Sequence, residues 1–175
     1  MTGFWNLEMT TVGRYSSFRT PPEYRSPMKD DRLRQPIKPD YMQALGTATF
    51  CFAICEWNAV YCAERIRPGS LGAFINDELT AGKIAKKLID LARNMPKTTD
   101  REELIAAAKT FADLVALRNN ILHGKPCTGP NGEARLCTAS IFEIPDLQDA
   151  ADAFSTCSIE LNRLLHGFLT TYKPK

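Results

Sequence analysis

Residues 99–126 read TDREELIAAAKTFADLVALRNNILHGKP, and their apolar positions repeat at helical spacing. Thr99 followed by Glu102 fits a capping box, in which two side chains satisfy the free backbone N–H groups of a helix start. One face then advances in steps of three or four residues through Leu104, Ala108, Phe111, Val115, Arg118 and Leu122. Gly124 is the expected residue just beyond the helix end, and Pro126 prevents continuation. The stretch therefore predicts one long amphipathic helix.

Three further segments carry helical patterns, and together they predict an all-α domain. The first helix is expected to run from an N-cap at Asp40 to about Arg67. The other two span about residues 80–95 and 145–171, which makes the quoted stretch the third helix of four. The expected fold is a four- to five-helix bundle over residues 40–175, preceded by an irregular N-terminal arm.

The N-terminal arm, residues 1–39, differs from the rest of the chain in charge and composition. It carries seven Lys or Arg against four Asp or Glu, whereas residues 40–175 carry fifteen against sixteen. It also contains five prolines and the aromatics Phe4, Trp5, Tyr15, Phe18 and Tyr24. No apolar periodicity emerges, which is typical of an extended segment. Such an arm either packs on its own domain or contacts a partner, and arginines interleaved with aromatics also suit RNA.

Cysteine usage and hydropathy indicate the expected compartment. Cys51, Cys55 and Cys62, three of the six cysteines, lie in an apolar helical stretch where a free thiol acts as a small core hydrophobe. The opening MTGFWNLEMT lacks the features of a secretory signal. Residues 44–63 have the length of a membrane span, but Glu56 within them is costly in lipid, so a buried core helix is favoured. We therefore expect a cytoplasmic protein that does not associate with a membrane.

Arg118 interrupts the apolar face of the third helix. A guanidinium in that position needs a partner or a wet cleft, because an unpaired buried charge is very costly. Asn119 and His123 are four residues apart, so they share a face and can hydrogen-bond. Arg118 and His123 are five apart, which is about 140° around an ideal helix. Their side chains therefore meet only if the long arginine stem or a loosened last turn brings them together.

These three residue types suit chemistry on a phosphodiester. Histidine can take or donate a proton near neutral pH, and arginine can hold a phosphate through a two-pronged, charge-assisted contact. Asparagine can fix the imidazole tautomer. RNA supplies its own nucleophile, the 2′-OH, so the reaction needs no metal or cofactor. The alternative is structural, since Arg118 and His123 near a helix C-terminus can cap carbonyls and complement the helix dipole.

The motif RNNILHG at 118–124 resembles the R-[polar]-x-x-x-H signature of the HEPN superfamily, with Asn119 as the polar residue. The first helix, LGTATFCFAICEWNAVYCAERI, is also similar to the opening helix of many HEPN domains, and the order of the helices matches over about residues 40–172. The resemblance implies a helical bundle and a metal-independent endoribonuclease of toxin–antitoxin, phage-defence or RNA-processing systems. By position, Arg118 and His123 would be the catalytic pair and Asn119 the orienting residue.

The resemblance also implies partners. HEPN domains commonly form homodimers in which the two motifs line one cleft, and toxins of this type are controlled by an antitoxin or another regulatory protein. RNA would be the substrate. Some members are inactive, so the alternative function is a non-catalytic helical interaction module with residues 1–39 as its contact element.

Two further residues have candidate supporting roles. Glu56 lies in the apolar first helix and either pairs with Arg118 or faces solvent. Lys125 occupies the position at which HEPN toxins controlled by a nucleotidyltransferase antitoxin carry a tyrosine, so tyrosine adenylylation is not available there. Its charge makes Lys125 a candidate RNA-binding residue.

The segment after the third helix contains two cysteines that lie close to His123 in the sequence. CTGPNGEARLC at 127–137 predicts a turn and allows a short hairpin. His123, Cys127 and Cys137 could be imagined as ligands, but their spacing matches no common zinc module and no fourth ligand is evident. We therefore expect no metal.

Overall fold

A computed structural model describes residues 37–174, and these residues form a mainly helical domain with one small sheet. The helices are α1 (Pro39–Ile66), α2 (Ser70–Asn76), α3 (Ala81–Arg93), α4 (Thr99–Leu122), α5 (Ile144–His166) and α6 (Phe168–Thr171). The strands are β1 (Lys125–Thr128), β2 (Ala134–Cys137) and β3 (Ile141–Phe142). None of the helices in this part of the chain has the length and apolar character needed to cross a membrane.

The core lies around α1, which packs most extensively along α5 and also contacts α2, α3, α4 and α6. On the core-facing side of α1, Ala48, Phe52, Cys55, Ala59, Cys62 and Ile66 are at 6% exposure or less, and Leu45 is partly buried. The predicted α4 stripe is buried from Leu104 to Val115, but Leu122 at its end is exposed. Burial of these two apolar faces against each other and against α5 positions the end of α4 beside the middle of α1.

The segment between α4 and α5 forms a three-stranded antiparallel sheet of order β1-β2-β3. The predicted turn joins β1 to β2, and Gly132 adopts a left-handed φ of 83° there, which glycine accommodates without a steric cost. Leu136 donates its backbone N–H to the hydroxyl oxygen of Tyr41 over 3.0 Å, which ties the sheet to the start of α1. The chain is therefore mainly helical rather than wholly α.

The helix starts differ from the prediction by one or two residues. Asp40 is not the N-cap of α1, because Lys38 holds that position and Pro39 opens the helix. Thr98 rather than Thr99 caps α4, since its hydroxyl accepts the backbone N–H of Arg101. The α4 start thus lacks the predicted capping box with Glu102.

A reciprocal capping box occurs instead at the start of α5. The Glu143 side chain accepts a backbone N–H of the first turn, and the Asp146 side chain accepts the backbone N–H of Glu143. The predicted last helix is also split, because α5 ends at His166 and α6 follows Gly167. A Cβ at Gly167 would lie 2.7 Å from the carbonyl oxygen of Arg163, so only glycine fits this break.

Candidate functional site

The candidate motif lies where α4 ends and β1 begins. Arg118 and Asn119 lie in the last turns of α4, and His123 is the C-cap with φ −99° and ψ 10°. The backbone N–H of His123 donates to the Asn119 carbonyl oxygen over 2.9 Å, which closes the final turn. The helix therefore remains regular through the motif, and its last residue before the sheet is the histidine.

Arg118 is half-buried, and its partner in the core is an aromatic ring. The guanidinium carbon lies 5.0 Å from the centroid of the Phe52 ring on α1. Phe52 is itself stacked on Phe111 at 5.9 Å and meets Phe154 edge-on at 5.2 Å. A cation over an aromatic face is stabilised by the ring quadrupole. This stack explains how an arginine can occupy the apolar face of α4.

The Asn119 side chain is bound to Arg118 rather than to His123. Arg118 donates from Nη1 to Oδ1 of Asn119 over 3.0 Å. Within residues 37–174, no hydrogen bond joins the Asn119 amide to the imidazole, and none links the side chains of Arg118 and His123. Asn119 therefore orients the guanidinium, whereas the sequence had suggested that it orients the histidine.

Glu56 lies near Arg118 without contacting it directly. Partial burial raises the pKa of the Glu56 carboxyl, and the positive charge of Arg118 lowers it by a smaller amount. In the described part of the chain, no ion pair within 4.0 Å joins Glu56 to Arg118. The expected pairing is thus an electrostatic coupling at longer range, and the guanidinium charge is not neutralised by this carboxylate.

His123 and Lys125 are both exposed, and Arg118 opens onto a shallow crevice. Ala48, Thr49, Ile121, Leu122 and Phe154 line this crevice together with Arg118, and it is too narrow to admit a water molecule. Lys125 begins β1, an edge strand, where it is paired with Cys137. His123 and Lys125 do not line this crevice, and an anion would reach each of the three side chains from the open surface.

The sheet begins immediately after the motif and determines the direction in which the chain leaves the end of α4. A Cβ at Gly124 would lie 3.1 Å from Leu136 Cβ and 3.2 Å from the Ile121 carbonyl oxygen. Gly124 occupies the predicted position after the helix, but it is needed for this close approach and does not adopt a positive φ. The contact holds β2 against the end of α4.

Cys127 lies on β1 and Cys137 on the neighbouring strand β2. The nearby Cys137 thiol, and to a smaller extent desolvation, raises the pKa of Cys127 to about 11. Among residues 37–174, no three His, Cys, Asp or Glu side chains are grouped so that they could hold one metal ion.

Two stacking contacts of arginine on an aromatic ring were not predicted from the sequence. Phe52 was given no role in the sequence analysis, although its ring lies beneath Arg118. Arg135 was given no role, yet it lies 8% exposed over the Tyr41 ring, with its guanidinium carbon 4.7 Å from the centroid. An arginine inside an apolar stripe signals a need for a partner, but only the tertiary packing identifies which aromatic provides it.

The end of α4 thus presents an oriented guanidinium, an exposed imidazole and a lysine on one stretch of eight residues, 118–125. This set can bind an anion and exchange a proton at the surface. Comparison with protein-family models gave no match, and comparisons with curated proteins and with solved structures gave none either. The resemblance to the HEPN superfamily therefore rests on the motif and helix order of this sequence alone.

Proposed function

We propose that this chain is a HEPN-type endoribonuclease that cleaves RNA without a metal ion. Arg118 would bind the scissile phosphate, His123 would transfer the proton, and Lys125 would contact the RNA backbone. Toxin–antitoxin, phage-defence and RNA-processing systems are the contexts in which such an activity is used. An antitoxin or regulatory partner would then restrain it.

The observation that carries the proposal is the state of Arg118. Its guanidinium rests on the Phe52 ring and its Nη1 donates to the Asn119 amide oxygen, yet no carboxylate within 4.0 Å in residues 37–174 neutralises its charge. A guanidinium that is positioned but not paired is suited to binding an external anion. Its side-chain conformational entropy is already lost on folding and is not lost again on binding. His123 follows on the same helix end and is open to solvent.

The proposed reaction uses the 2′-OH of the RNA as its nucleophile. His123 removes the 2′-OH proton, the 2′-oxygen bonds to phosphorus, and the bond from phosphorus to the 5′-oxygen breaks. The departing 5′-oxygen takes up a proton from solvent water and His123 releases its proton to solvent, so the products are a 2′,3′-cyclic phosphate and a 5′-hydroxyl end. Arg118 stabilises the additional negative charge on the phosphate oxygens while the bonds exchange.

The test compares wild-type protein and His123→Ala on a set of RNAs in the presence of EDTA. We expect wild-type cleavage with cyclic phosphate ends, and a loss of about 100-fold or more in His123→Ala, because general acid–base catalysis contributes about 10²–10⁴-fold. His166→Ala is the matched control, since His166 is exposed on α5 and lies outside the motif. It should cleave like wild type.

Two outcomes would remove this proposal. One is equal cleavage by wild type and His123→Ala, and the other is no cleavage by either protein on varied RNAs. Expression in a host cell is an independent readout, because a free ribonuclease should slow growth and the His123→Ala form should not.

The alternative function is a non-catalytic helical interaction module. The observation that favours it is the outer face of α1, where Phe50, Ile54, Trp57 and Tyr61 are all at least 44% exposed. Large exposed apolar patches mark interaction sites. This alternative predicts that wild type binds a partner but leaves RNA intact, and that His123→Ala changes neither property.

A further inference from the structure

A groove between α1, α2 and α3 lies on the same flank of α1 as Arg118. It has a volume of about 210 Å³, and Glu56 is the one charged residue among the described residues that line it. Thr49 lines the crevice at Arg118, whereas Glu56 and Val60 line the groove. At 100° per residue, these three α1 residues fall within a sector of about 40° around the helix. We call this cavity the Glu56 groove.

The Glu56 carboxylate is close to the arginine and has no partner of its own. Glu56 follows Phe52, the residue beneath Arg118, by about one helical turn, or about 6 Å along α1. In the part of the chain that the structure describes, no hydrogen bond and no ion pair within 4.0 Å engages this carboxylate. Both of its oxygens can therefore accept hydrogen bonds from a ligand, and such bonds would compensate the cost of its partial burial.

The rest of the groove lining is apolar and partly open to solvent. Trp57 on α1 and Ile75 on α2 are 46% and 58% exposed, whereas Phe74 and Ile84 are buried. The Trp57 ring contacts the Tyr61 ring with centroids 5.7 Å apart, which limits its freedom to turn away. An exposed indole face is a stacking surface for a nucleobase. The groove thus suits a flat ligand that has an aromatic face and hydrogen-bond donors along one edge.

We propose that the Glu56 groove binds a guanine base of the RNA strand whose phosphate Arg118 holds, an inference that rests on the proposed function. Glu56 would accept hydrogen bonds from the N1–H and the 2-amino group of the base, and Trp57 would stack on its face. Unpaired bases in RNA are commonly recognised in this way, by an aromatic ring on the face and hydrogen bonds to the Watson–Crick edge.

The chemistry of a carboxylate selects guanine among the four bases. The Glu56 carboxylate presents two acceptor oxygens side by side, and guanine alone has two adjacent N–H donors on its Watson–Crick edge. Adenine and cytosine each have one donor beside a ring nitrogen that accepts, and uracil has one donor between two carbonyl oxygens. With any of these three bases, an acceptor of the base would face an oxygen of Glu56. Guanine is therefore the base that satisfies both oxygens at once.

The position of the groove relative to His123 indicates which nucleotide would carry the guanine. Leu136 packs against the glycine that follows His123 and donates its N–H to the hydroxyl of Tyr41, near the start of α1. His123 therefore lies toward the start of α1 from Arg118, and Glu56 lies toward its end. The 2′-OH that His123 deprotonates belongs to the nucleotide before the phosphate. The guanine would accordingly belong to the nucleotide after it, so cleavage would leave a guanosine at the new 5′-hydroxyl end.

Fluorescence anisotropy with the full chain tests the base site without relying on cleavage. The probes are labelled hexanucleotides of 2′-O-methyl uridine in which one central uridine is replaced by guanosine, inosine, adenosine or cytidine. All positions are 2′-O-methylated, so no 2′-OH nucleophile is present. We expect wild type to bind the guanosine probe roughly 10- to 100-fold more tightly than the all-uridine probe, as for hydrogen bonds to a charged group. Inosine lacks only the 2-amino group of guanine and should bind with intermediate affinity.

Two variants separate the roles of the carboxylate and the indole. Glu56→Gln replaces one acceptor oxygen with an N–H donor, so the preference for guanosine should disappear while binding of the all-uridine probe does not fall. Trp57→Ala should weaken the binding of all probes by a similar factor, because stacking tolerates every base. Asp113→Asn removes the same charge at an exposed position of α4 that lines neither cavity. This matched control should keep the wild-type preference.

The outcomes separate the base site from the nuclease activity. Equal binding of all probes by wild type, or a guanosine preference that survives in Glu56→Gln, overturns the base site. A preference for adenosine or cytidine overturns the assignment of guanine. A guanosine preference in a protein that cuts no RNA removes the proposed function and leaves the base site standing. Where wild type cuts RNA, mapping of the ends should place guanosine directly after the cleaved bond, and guanosine directly before it overturns the proposed order of groups along α1.

Discussion

Two arginines of this domain stack on aromatic rings of the same helix, and their surroundings differ. Arg135 lies over Tyr41 at 4.7 Å, and Arg118 lies over Phe52 at 5.0 Å. The stack is similar in both, since each guanidinium rests on a ring near or within the core. What differs is the set of groups around the edge of each guanidinium.

Arg135 has its charge satisfied inside the protein. Its Nε donates to Glu143 over 2.9 Å, and its Nη2 lies 3.1 Å from Glu133. Burial by itself lowers the pKa of Arg135, but the hydrogen bond to Glu143 and the charges of both carboxylates raise it overall. Among residues 37–174, Arg118 has only the neutral Asn119 amide in hydrogen-bond contact. The aromatic ring thus positions each arginine. The neighbouring carboxylates determine whether its positive charge is free to bind an external anion.

The largest expected effect is on cleavage at Arg118. Arg118→Lys keeps the positive charge and loses the planar fork that binds phosphate in two places, so we expect cleavage to fall about 100-fold or more. Arg65→Lys, on an exposed position of α1, is the control and should be neutral. The readout is the initial rate of RNA cleavage in EDTA. Full activity in Arg118→Lys would mean that the guanidinium is not used on the phosphate.

The second largest effect is on folding at Arg135. Arg135→Met leaves the carboxylate of Glu133 buried without its partner, and we expect a loss of about 3 kcal/mol in the free energy of unfolding. Urea unfolding followed by circular dichroism measures it. Arg163→Met is the matched control, because Arg163 is exposed although it also contacts two carboxylates, and its loss should be much smaller. Equal losses in the two variants would contradict the role of burial.

A smaller effect on folding is expected for the same substitution at the other stack. Arg118→Met keeps an apolar stem on the Phe52 ring and removes the cation, so the free energy of unfolding should fall by about 1 kcal/mol or less. Urea unfolding in the same buffer as Arg135→Met makes the comparison direct. A loss as large as that of Arg135→Met would show that Arg118 is a structural arginine.

The smallest expected effect concerns Glu56 and depends on pH. Its folded-state pKa is raised above 4.5, so the native state holds this proton more tightly than the unfolded chain does. The resulting stability is fully present below the unfolded pKa and is lost as pH rises through the folded one. Glu56→Gln avoids that loss and should be more stable than wild type at neutral pH, by at most about 1 kcal/mol.

Thermal unfolding of wild type and Glu56→Gln, measured from neutral pH down to about pH 4, provides the comparison. The two melting curves should converge at a pH of about 4, where most glutamates begin to protonate. A variant that is less stable than wild type at neutral pH would show that attraction to Arg118 outweighs the burial of the carboxylate.

The helical body could be predicted from the sequence because its burial follows a single period. Steps of three and four residues identified the buried stripes of α1, α3, α4 and α5. By contrast, α2 has only seven residues, too few to show a period, and the three short strands have at most four residues each. Helix caps were placed one or two residues away, because Thr98 and Thr99 are equally good candidates until the backbone is known.

The site was predicted in its residues but not in its contacts. Local spacing could identify Arg118, Asn119 and His123, because all three lie on one helix end. It could not show that Phe52, 66 positions earlier in the chain, would lie beneath the guanidinium. The exposed outer face of α1 was hidden for a related reason, since α1 is apolar on nearly all sides and only packing separates its buried face from its exposed one.

Gly124 has a consequence for how this region tolerates variation. Any β-carbon there would crowd both the Leu136 side chain and the rigid Ile121 carbonyl. The packing between the end of α4 and β2 therefore accommodates the hydrogen of glycine but not a β-carbon at an ordinary contact distance. A saturation library at this codon should return glycine almost alone among well-folded clones, whereas the neighbouring Lys125, whose side chain is exposed, should accept many residues.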